Sequence, residues 1–306
     1  MTEHTFSRRR FLSSLSAAGL ASVLPGTAIS REQMPTRRIP GTGEYLPVVG
    51  LGSTKPVGQI AERGTAHVDS VLRALVAKGG SVVDTWPSNP VNDKGFGEVI
   101  SQPALRDALF IASKIDRTGK QEGIAQFREI QRLYQRETID LMQVFNLTDI
   151  DTQWATLREL KESGRARYIG VTVSSPALYG KLANFLKREK PDFSQINYSI
   201  TERDAEDRML PMLQDKGVGV IINRPFMNGD YFRKLDGRPL PDWAAEFDCE
   251  SWAQFSLKYI LPHSAITCVL TETTKAKHMS ENARAAFGRM PDESQRARMR
   301  EVMRSV

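Results

Sequence analysis

The sequence predicts an α/β fold, namely a (β/α)8 TIM barrel with an N-terminal β-hairpin and a C-terminal helical tail. The chain has 306 residues, and a barrel of this type takes roughly 250 residues plus extensions. Eight short runs rich in β-branched residues alternate with amphipathic helical stretches, which is typical of βα units. The runs are largely apolar and separated by helices, which indicates a parallel sheet covered on its outer side. Eight such units in one chain indicate a closed barrel rather than an open sheet.

The first 30 residues have the layout of an export signal. Ser7-Arg8-Arg9-Arg10-Phe11-Leu12 precedes an uncharged run of small and apolar residues, and Ala28-Ile29-Ser30 follows it. A charged region, a short apolar run and small residues in this order are typical of a secretory signal, and the arginine pair resembles a twin-arginine signal. We therefore divide the chain into a twin-arginine signal peptide at 1–30 and a barrel at 31–306. An amphipathic N-terminal tail is the alternative.

This resemblance sets the expected location and one expected partner. A twin-arginine signal implies recognition by the twin-arginine export machinery and an exported protein of the bacterial periplasm. The apolar run is shorter than the roughly 20 residues that span a bilayer, and no later segment reaches that length. We therefore expect no stable membrane insertion.

The barrel elements follow in order along the rest of the chain. Arg37–Ile39 and Tyr45–Leu46, around Gly41-Thr42-Gly43, predict the hairpin that closes the barrel floor. The predicted barrel strands are Val48–Gly52, Val82–Thr85, Leu109–Lys114, Ile139–Phe145, Arg167–Thr172, Phe193–Ser199, Val218–Arg224 and Ile266–Thr271. Phe226–Asp248 is long for a loop, which favours a lid over the carboxyl ends of the strands. The arginine-rich tail from Asp292 predicts a solvated amphipathic helix.

The composition excludes several classes of function. Two cysteines exclude a disulfide framework or a cysteine-rich zinc site. Four histidines leave little material for a metal centre, so we expect none. The net charge of +6 is spread along the chain, so we expect no nucleic-acid partner.

Several segments, each near the end of a predicted strand, resemble the aldo-keto reductase family. They cover nearly all of residues 36–290 and are Leu46-Pro47-Val48-Val49-Gly50-Leu51-Gly52-Ser53-Thr54, Val83-Asp84-Thr85, Ala112-Ser113-Lys114, Ile139-Asp140-Leu141-Met142-Gln143-Val144, Tyr168-Ile169-Gly170-Val171-Thr172, Gln195-Ile196-Asn197-Tyr198-Ser199 and Thr273-Thr274-Lys275 with Glu281-Asn282. Their order along the chain is what makes the resemblance specific. It implies a (β/α)8 barrel that reduces carbonyl compounds with NADPH.

The resemblance also implies a catalytic tetrad, which this chain keeps in part. The family aspartate and lysine fall on Asp84 and Lys114. Asn89 or a close neighbour takes the place of the tyrosine that donates the proton, and Phe145 takes that of the histidine that orients the substrate. Asparagine has no ionisable proton and phenylalanine has neither donor nor acceptor. Lys114 could serve as the acid, or Asp84 and Lys114 could be a retained structural ion pair.

The resemblance implies NADP as the cofactor, with NAD as the other candidate. Thr172 and Gln195 match positions that hold the carboxamide, Tyr198 one that stacks on the nicotinamide, and Arg224 could lie over the pyrophosphate. A helix-facing salt bridge is the alternative for Arg224. The remaining implied contacts are Ser53 and Thr54 at the first strand, Thr273, Thr274 and Lys275 toward the 2′-phosphate, and Glu281 and Asn282 toward the adenosine. Glu272 departs from the family pattern and would repel a phosphate if it faced inward.

Three hypotheses of function follow. The first is an NADP(H)-binding oxidoreductase of aldo-keto reductase type with altered proton transfer, acting on a carbonyl or quinone-type small molecule. The second is a non-catalytic exported barrel that binds a nucleotide or small ligand. The third, a glycosidase, would need two facing carboxylates at strand ends, and only Asp84 clearly meets that requirement.

Overall fold

The structure is a computed structural model that describes residues 33–304. Eight parallel strands form a barrel that closes where the last strand along the chain pairs with the first, so the predicted fold class is confirmed. A separate antiparallel hairpin precedes them, made of β1 (Thr36–Arg38) and β2 (Tyr45–Pro47). The barrel strands are β3 (Val49–Gly52), β4 (Val82–Asp84), β5 (Phe110–Ile115), β6 (Ile139–Phe145), β7 (Ala166–Thr172), β8 (Phe193–Asn197), β9 (Gly219–Asn223) and β10 (Cys268–Thr271).

Helices connect the strands and surround the barrel. They are α1 (Thr54–Gly58), α2 (Ile60–Arg63), α3 (Ala66–Ala77), α4 (Pro90–Ile100), α5 (Pro103–Arg106), α6 (Lys120–Tyr134), α7 (Ile150–Glu162), α8 (Tyr179–Arg188), α9 (Met209–Asp215), α10 (Asp230–Lys234), α11 (Trp252–Ile260), α12 (Ala276–Arg284) and α13 (Glu293–Arg304), with short 3-10 turns at Pro176–Leu178, Met227–Gly229 and Asp242–Phe247. No described helix is both long enough and apolar enough to cross a bilayer.

The barrel interior is apolar at its floor. Successive side chains on a strand point to opposite faces, so every second residue faces inward. Phe110, Tyr168 and Phe193 pack against one another there, with ring centroids 5.6–6.3 Å apart. Ile39 and Leu46 from the hairpin join this cluster and close it from below, as predicted. The carboxyl ends of the strands are therefore the open end of the barrel.

The C-terminal helix α13 is not the solvated tail that the sequence predicts. Arg296 is only 11% exposed, and it donates hydrogen bonds to the Tyr259 carbonyl at 3.0 Å and the Tyr198 hydroxyl at 3.0 Å. Its guanidinium also lies 4.6 Å from the centre of the Tyr259 ring. Met299, one turn later, is fully buried. The prediction that this helix is solvated rested on its arginine content alone. In the structure, one face of the helix is anchored to the barrel.

The segment 226–248 is likewise more ordered than a loop. It contains two 3-10 turns and α10, and Tyr231 and Phe247 are buried in the core. Phe226 and Phe232 lie beside the open end of the barrel, with ring centroids 5.0 Å apart. The segment therefore forms a wall of the cavity there. The predicted signal at 1–30 lies outside the described residues.

Candidate active site at the carboxyl ends of the strands

A cavity of about 550 Å³ opens at the carboxyl ends of the barrel strands. Asp84, at the end of β4, and Lys114, on β5, line its floor. The Lys114 ammonium donates to Asp84 Oδ1 at 2.6 Å and to the Thr85 carbonyl at 2.9 Å. Their side chains are 5% and 7% exposed. A charged pair this well buried carries a desolvation cost that only close contact and further hydrogen bonds offset.

Two buried amides supply those further hydrogen bonds. Gln143 Nε2, on β6, donates to Asp84 Oδ1 at 3.2 Å and to Gln195 Oε1 at 3.0 Å. Gln195 Nε2, on β8, donates to Asp84 Oδ2 at 3.2 Å. Both ends of Gln195 are thus engaged inside the barrel, although Gln195 also lines the cavity. A nicotinamide carboxamide that contacts Gln195, as predicted, would have to share its Oε1 and Nε2 with Gln143 and Asp84.

Sequence reasoning missed Gln143 as a member of the site. It lies within an apolar strand whose other inward residues, Leu141 and Phe145, carry no polar atom. The sequence did carry one signal for it, namely a single amide side chain at an inward position of a mostly apolar strand. Buried polar groups need partners, and this one could only find them across the barrel.

Two aromatic rings line the same cavity as the charged pair. Trp86 and Phe145 stack with ring centroids 4.6 Å apart and an interplanar angle of 22°, and both line the cavity. The Trp86 indole N–H donates to Asp116 Oδ2 at 2.9 Å, which fixes the ring at the cavity mouth. Within residues 33–304 no tyrosine or histidine lines this cavity.

Asn89 does not face the cavity. It caps α4, where its Oδ1 accepts the amide N–H groups of Val91 at 3.1 Å and Asn92 at 3.0 Å. Asparagine before a first-turn proline is a strong helix start, and Pro90 stands there. The side chain that follows Asp84 into the cavity is Trp86.

Polar groups that follow β7 and β9 form another part of the cavity lining. Arg224 donates to the Ser174 carbonyl at 2.8 Å and to Asn228 Oδ1 at 3.2 Å, so the alternative of a helix-facing salt bridge is wrong. Arg224 has a positive φ of 53°, which turns the chain sharply at the end of β9. Asn223 beside it has a buried Oδ1 with no hydrogen-bond partner among the described residues. That atom is an acceptor available to a ligand.

A second cavity of about 370 Å³ adjoins the first, and Phe226, Phe232 and Glu272 line both. Its other polar residues include Thr273 and, on α12, Glu281 and Asn282. The amide N–H of Lys55 donates to Glu272 Oε1 at 3.2 Å. Burial raises the pKa of Glu272, while the Lys55 hydrogen bond and the nearby charges of Lys55 and Arg224 act to lower it.

The structure places the other predicted cofactor residues in different surroundings. Thr54 and Thr172 line the first cavity. Ser53 is fully buried beneath it, and its hydroxyl donates to the Asp84 carbonyl at 3.2 Å. Thr274 and Lys275 line neither cavity. Lys275 is the N-cap residue of α12, and its amide N–H donates to Thr273 Oγ1 at 3.1 Å.

Tyr198 requires a correction. It is fully buried outside the barrel wall, and its hydroxyl donates to Glu206 and accepts from Arg296. Gln195 and Asn197 face inward, and Tyr198 follows after an odd step, which turns its ring to the other face. Tyr198 therefore anchors α13 and cannot stack on a ring in the cavity. Within residues 33–304, no cluster of three or more histidine, cysteine or acidic side chains is arranged to hold a metal ion.

The chain is similar to known proteins in both sequence and fold. The model of the aldo/keto reductase family matches residues 49–303 of this chain. L-galactose dehydrogenase of Arabidopsis thaliana is 24% identical over 284 residues, which cover 81% of this chain and 87% of the plant protein. The holo form of aldo-keto reductase AKR11C1 from Bacillus halodurans is 20% identical, with a TM-score of 0.71 over 88% of this chain and 96% of that chain. An aldo-keto reductase from Klebsiella pneumoniae in complex with NADPH is 19% identical, with a TM-score of 0.70 over 84% of this chain and 91% of that chain.

Proposed function

Because the chain belongs to the aldo/keto reductase family, we propose that it is an NADP(H)-dependent oxidoreductase that acts on a carbonyl or quinone-type small molecule. The observation that carries this proposal is the buried Lys114–Asp84 pair at the floor of a cavity at the carboxyl ends of the barrel strands. Barrel enzymes keep their reacting groups at this end. NAD remains the second candidate cofactor.

The cavity residues fit a nicotinamide dinucleotide. Asn223 Oδ1 is buried without a partner among the described residues, and a carboxamide N–H would satisfy it. Thr172 and Ser174 line the same cavity. Thr273 and Asn282 in the second cavity offer hydrogen-bonding groups to an adenosine. The NADPH complex of the Klebsiella pneumoniae relative supports NADP as the group that spans them.

A nicotinamide bound there would supply or accept a hydride. The chain itself must then stabilise the substrate oxygen, which gains negative charge as a carbonyl is reduced. The Lys114 ammonium has three N–H donors, and Asp84 and Thr85 take two of them. The third can donate to a substrate oxygen, and a positive charge fixed in a desolvated site stabilises an oxyanion strongly.

Proton transfer then differs from that of the family. We propose that Lys114 Nζ provides the proton, because the cavity-lining residues at the mouth, Trp86 and Phe145, have no acidic proton to give. Asp84 keeps three donors on its carboxylate, so it holds the ammonium in place and opposes its deprotonation. We therefore expect slower carbonyl reduction than with a tyrosine acid, since general acid catalysis contributes typically 10²–10⁴-fold.

A non-catalytic barrel that binds a nucleotide or small ligand is the second candidate. It is favoured by one observation, namely that the ammonium of Lys114 is already matched by the Asp84 carboxylate. In this case the pair would stabilise the barrel, and the cavity would serve for binding alone.

Two measurements separate these functions. Trp86 lines the first cavity and Trp252 the second, so tryptophan fluorescence should report NADPH or NADP binding to the purified chain. Turnover is then measured with supplied NADPH on aromatic aldehydes and quinones, with Lys114→Met and, as a control, Lys94→Met, an exposed lysine on α4. Turnover that Lys114→Met abolishes and Lys94→Met leaves intact supports the oxidoreductase. Binding without turnover supports the second candidate, and no saturation up to about 1 mM nucleotide contradicts the NADP assignment.

A rebuilt site offers a sharper version of the same test. Because Trp86 and not Asn89 lines the cavity, Trp86→Tyr combined with Phe145→His restores a tyrosine and a histidine at its mouth. If the chain is a reductase with altered proton transfer, this double variant should turn over faster than the parent. An Asn89→Tyr variant should not, because position 89 lies outside both cavities.

We also propose that the chain is exported through the twin-arginine machinery to the periplasm. The proposal is supported by the arginine pair at Arg8-Arg9 and the apolar run after it. A twin-lysine variant, Arg8→Lys with Arg9→Lys, should accumulate inside the cell with its N-terminal segment intact. Export of that variant at the wild-type level would contradict the proposal.

A further inference from the structure

The two cavities meet at a carboxylate. Glu272 follows the last barrel strand and lines both the first and the second cavity. The other residues that line both cavities are Phe226 and Phe232, whose rings carry no charge. Any ligand that occupies both cavities at once must therefore pass beside the Glu272 side chain. We call this place the junction, defined by Phe226, Phe232 and Glu272.

Two cationic residues, Lys55 and Arg224, line the first cavity beside the junction, and the Glu272 carboxylate offsets part of their positive charge. Arg224 donates to the Ser174 carbonyl and to Asn228 Oδ1. The backbone N–H of Lys55 donates to Glu272 itself. The carboxylate thus takes a donor that an incoming anion would otherwise use, and it adds a negative charge at the same place.

A dinucleotide that spans two cavities carries its diphosphate in the middle. Like charges a few ångströms apart in a partly desolvated site repel each other more strongly than in water. The diphosphate would have to approach the Glu272 carboxylate, which offsets part of the attraction of Lys55 and Arg224. A neutral ligand, or one that occupies a single cavity, does not meet this charge repulsion.

We propose that Glu272 is a specificity residue that weakens the binding of diphosphate-containing dinucleotides by charge repulsion at the junction. The inference rests on the proposed function, because it assumes that a dinucleotide spans the two cavities. It identifies a side chain of this protein that sets how tightly NADP is held, independently of the groups that carry out the chemistry. Removing the charge while keeping the size of the side chain should strengthen binding.

The test is a titration of the purified full-length chain with NADP, followed by tryptophan fluorescence and by isothermal calorimetry. Glu272→Gln should bind NADP at least about tenfold more tightly than the parent, a change of about 1.4 kcal/mol. Glu272→Ala should also bind more tightly, and Glu272→Asp, which keeps the charge, should stay close to the parent. Glu62→Gln, an exposed carboxylate on α2 that lines neither cavity, controls for net charge.

Each outcome bears on the inference. If parent and Glu272→Gln both bind NADP with affinities within twofold, the inference is overturned while the proposed function stands. If Glu62→Gln strengthens binding as much as Glu272→Gln, the effect is one of net charge and the junction has no special role. If no variant binds NADP or NAD, the proposed function fails and the inference fails with it.

Discussion

Replacing Lys114 by methionine should cost stability as well as activity, by an amount that the contacts allow us to work out. The ammonium lies 2.6 Å from Asp84 Oδ1, and both side chains are at least 93% buried. Methionine fills similar space but leaves Asp84 as a buried carboxylate without a counter-charge. Removing one partner of a buried pair typically costs about 3–5 kcal/mol. Asp84 would keep its hydrogen bonds from Gln143 and Gln195, at 3.2 Å each, so we expect about 3 kcal/mol, at the low end.

The assay is equilibrium unfolding in urea, with thermal unfolding as a second measurement. A loss of about 3 kcal/mol corresponds to a fall in Tm of about 6–12 °C, at about 2–4 °C per kcal/mol for a domain of this size class. The double variant Asp84→Asn with Lys114→Met removes both charges and should recover most of the loss, because the cost comes from the unpaired charge. If Lys114→Met is as stable as the parent, or if the double variant is less stable than the single one, the reasoning about the buried pair is refuted.

Three further predictions concern packing and charge away from the cavities. Gly97→Ala should lower the Tm strongly, because the added Cβ would lie 1.8 Å from a carbonyl oxygen at the end of α6. Gly180→Ala on α8 is the control: its added Cβ meets nothing within 4 Å, so the Tm should not fall. Burial raises the pKa of Asp93 from 3.8 to about 6, so its contribution to stability is full below about pH 4 and is lost as the pH rises through 6. Asp93→Asn should therefore gain stability relative to the parent over that range, by about 1–2 kcal/mol at pH 7, and an equal difference at pH 4 and pH 7 would contradict this. Arg296→Met should release α13 from the barrel, with faster hydrogen exchange in that helix and a loss of about 2–4 kcal/mol in the free energy of unfolding. Arg304 is 64% exposed on the same helix, so Arg304→Met should change neither quantity.

The barrel could be predicted because its strands carry their own signal. A short run such as Ile139–Phe145 is apolar at most positions on both faces, with Asp140 and Gln143 as the exceptions, and such a run is typical of a strand covered from inside and outside. The order of eight such runs then fixed the closed topology, and the observed strand has the same bounds. Predicted and observed strands differ by a few residues at their ends. For example, β8 ends at Asn197, whereas the predicted strand ends at Ser199.

Misplaced site residues share one cause. The sequence shows that a residue follows a strand but does not show which way its side chain points. Tyr198 was predicted in the cavity, and an odd step from Gln195 turns it to the outer face. Asn89 was predicted to occupy the position of the family's catalytic tyrosine, but its side chain caps α4 and lies outside the cavity. In both cases a local rule, alternation or capping, overrides the position implied by a motif.

The sequence by itself determined the fold class, the Asp84 and Lys114 positions at strand ends, and the departure at Glu272 from the family pattern. Those features depend on periodicity and on residue type, which are local properties of the chain. Only the tertiary structure decided that Gln143 and Gln195 join Asp84 across the barrel, and that Glu272 stands where two cavities meet. These groups come from strands far apart in the sequence, and their contacts arise only because barrel closure brings all strand ends to one rim.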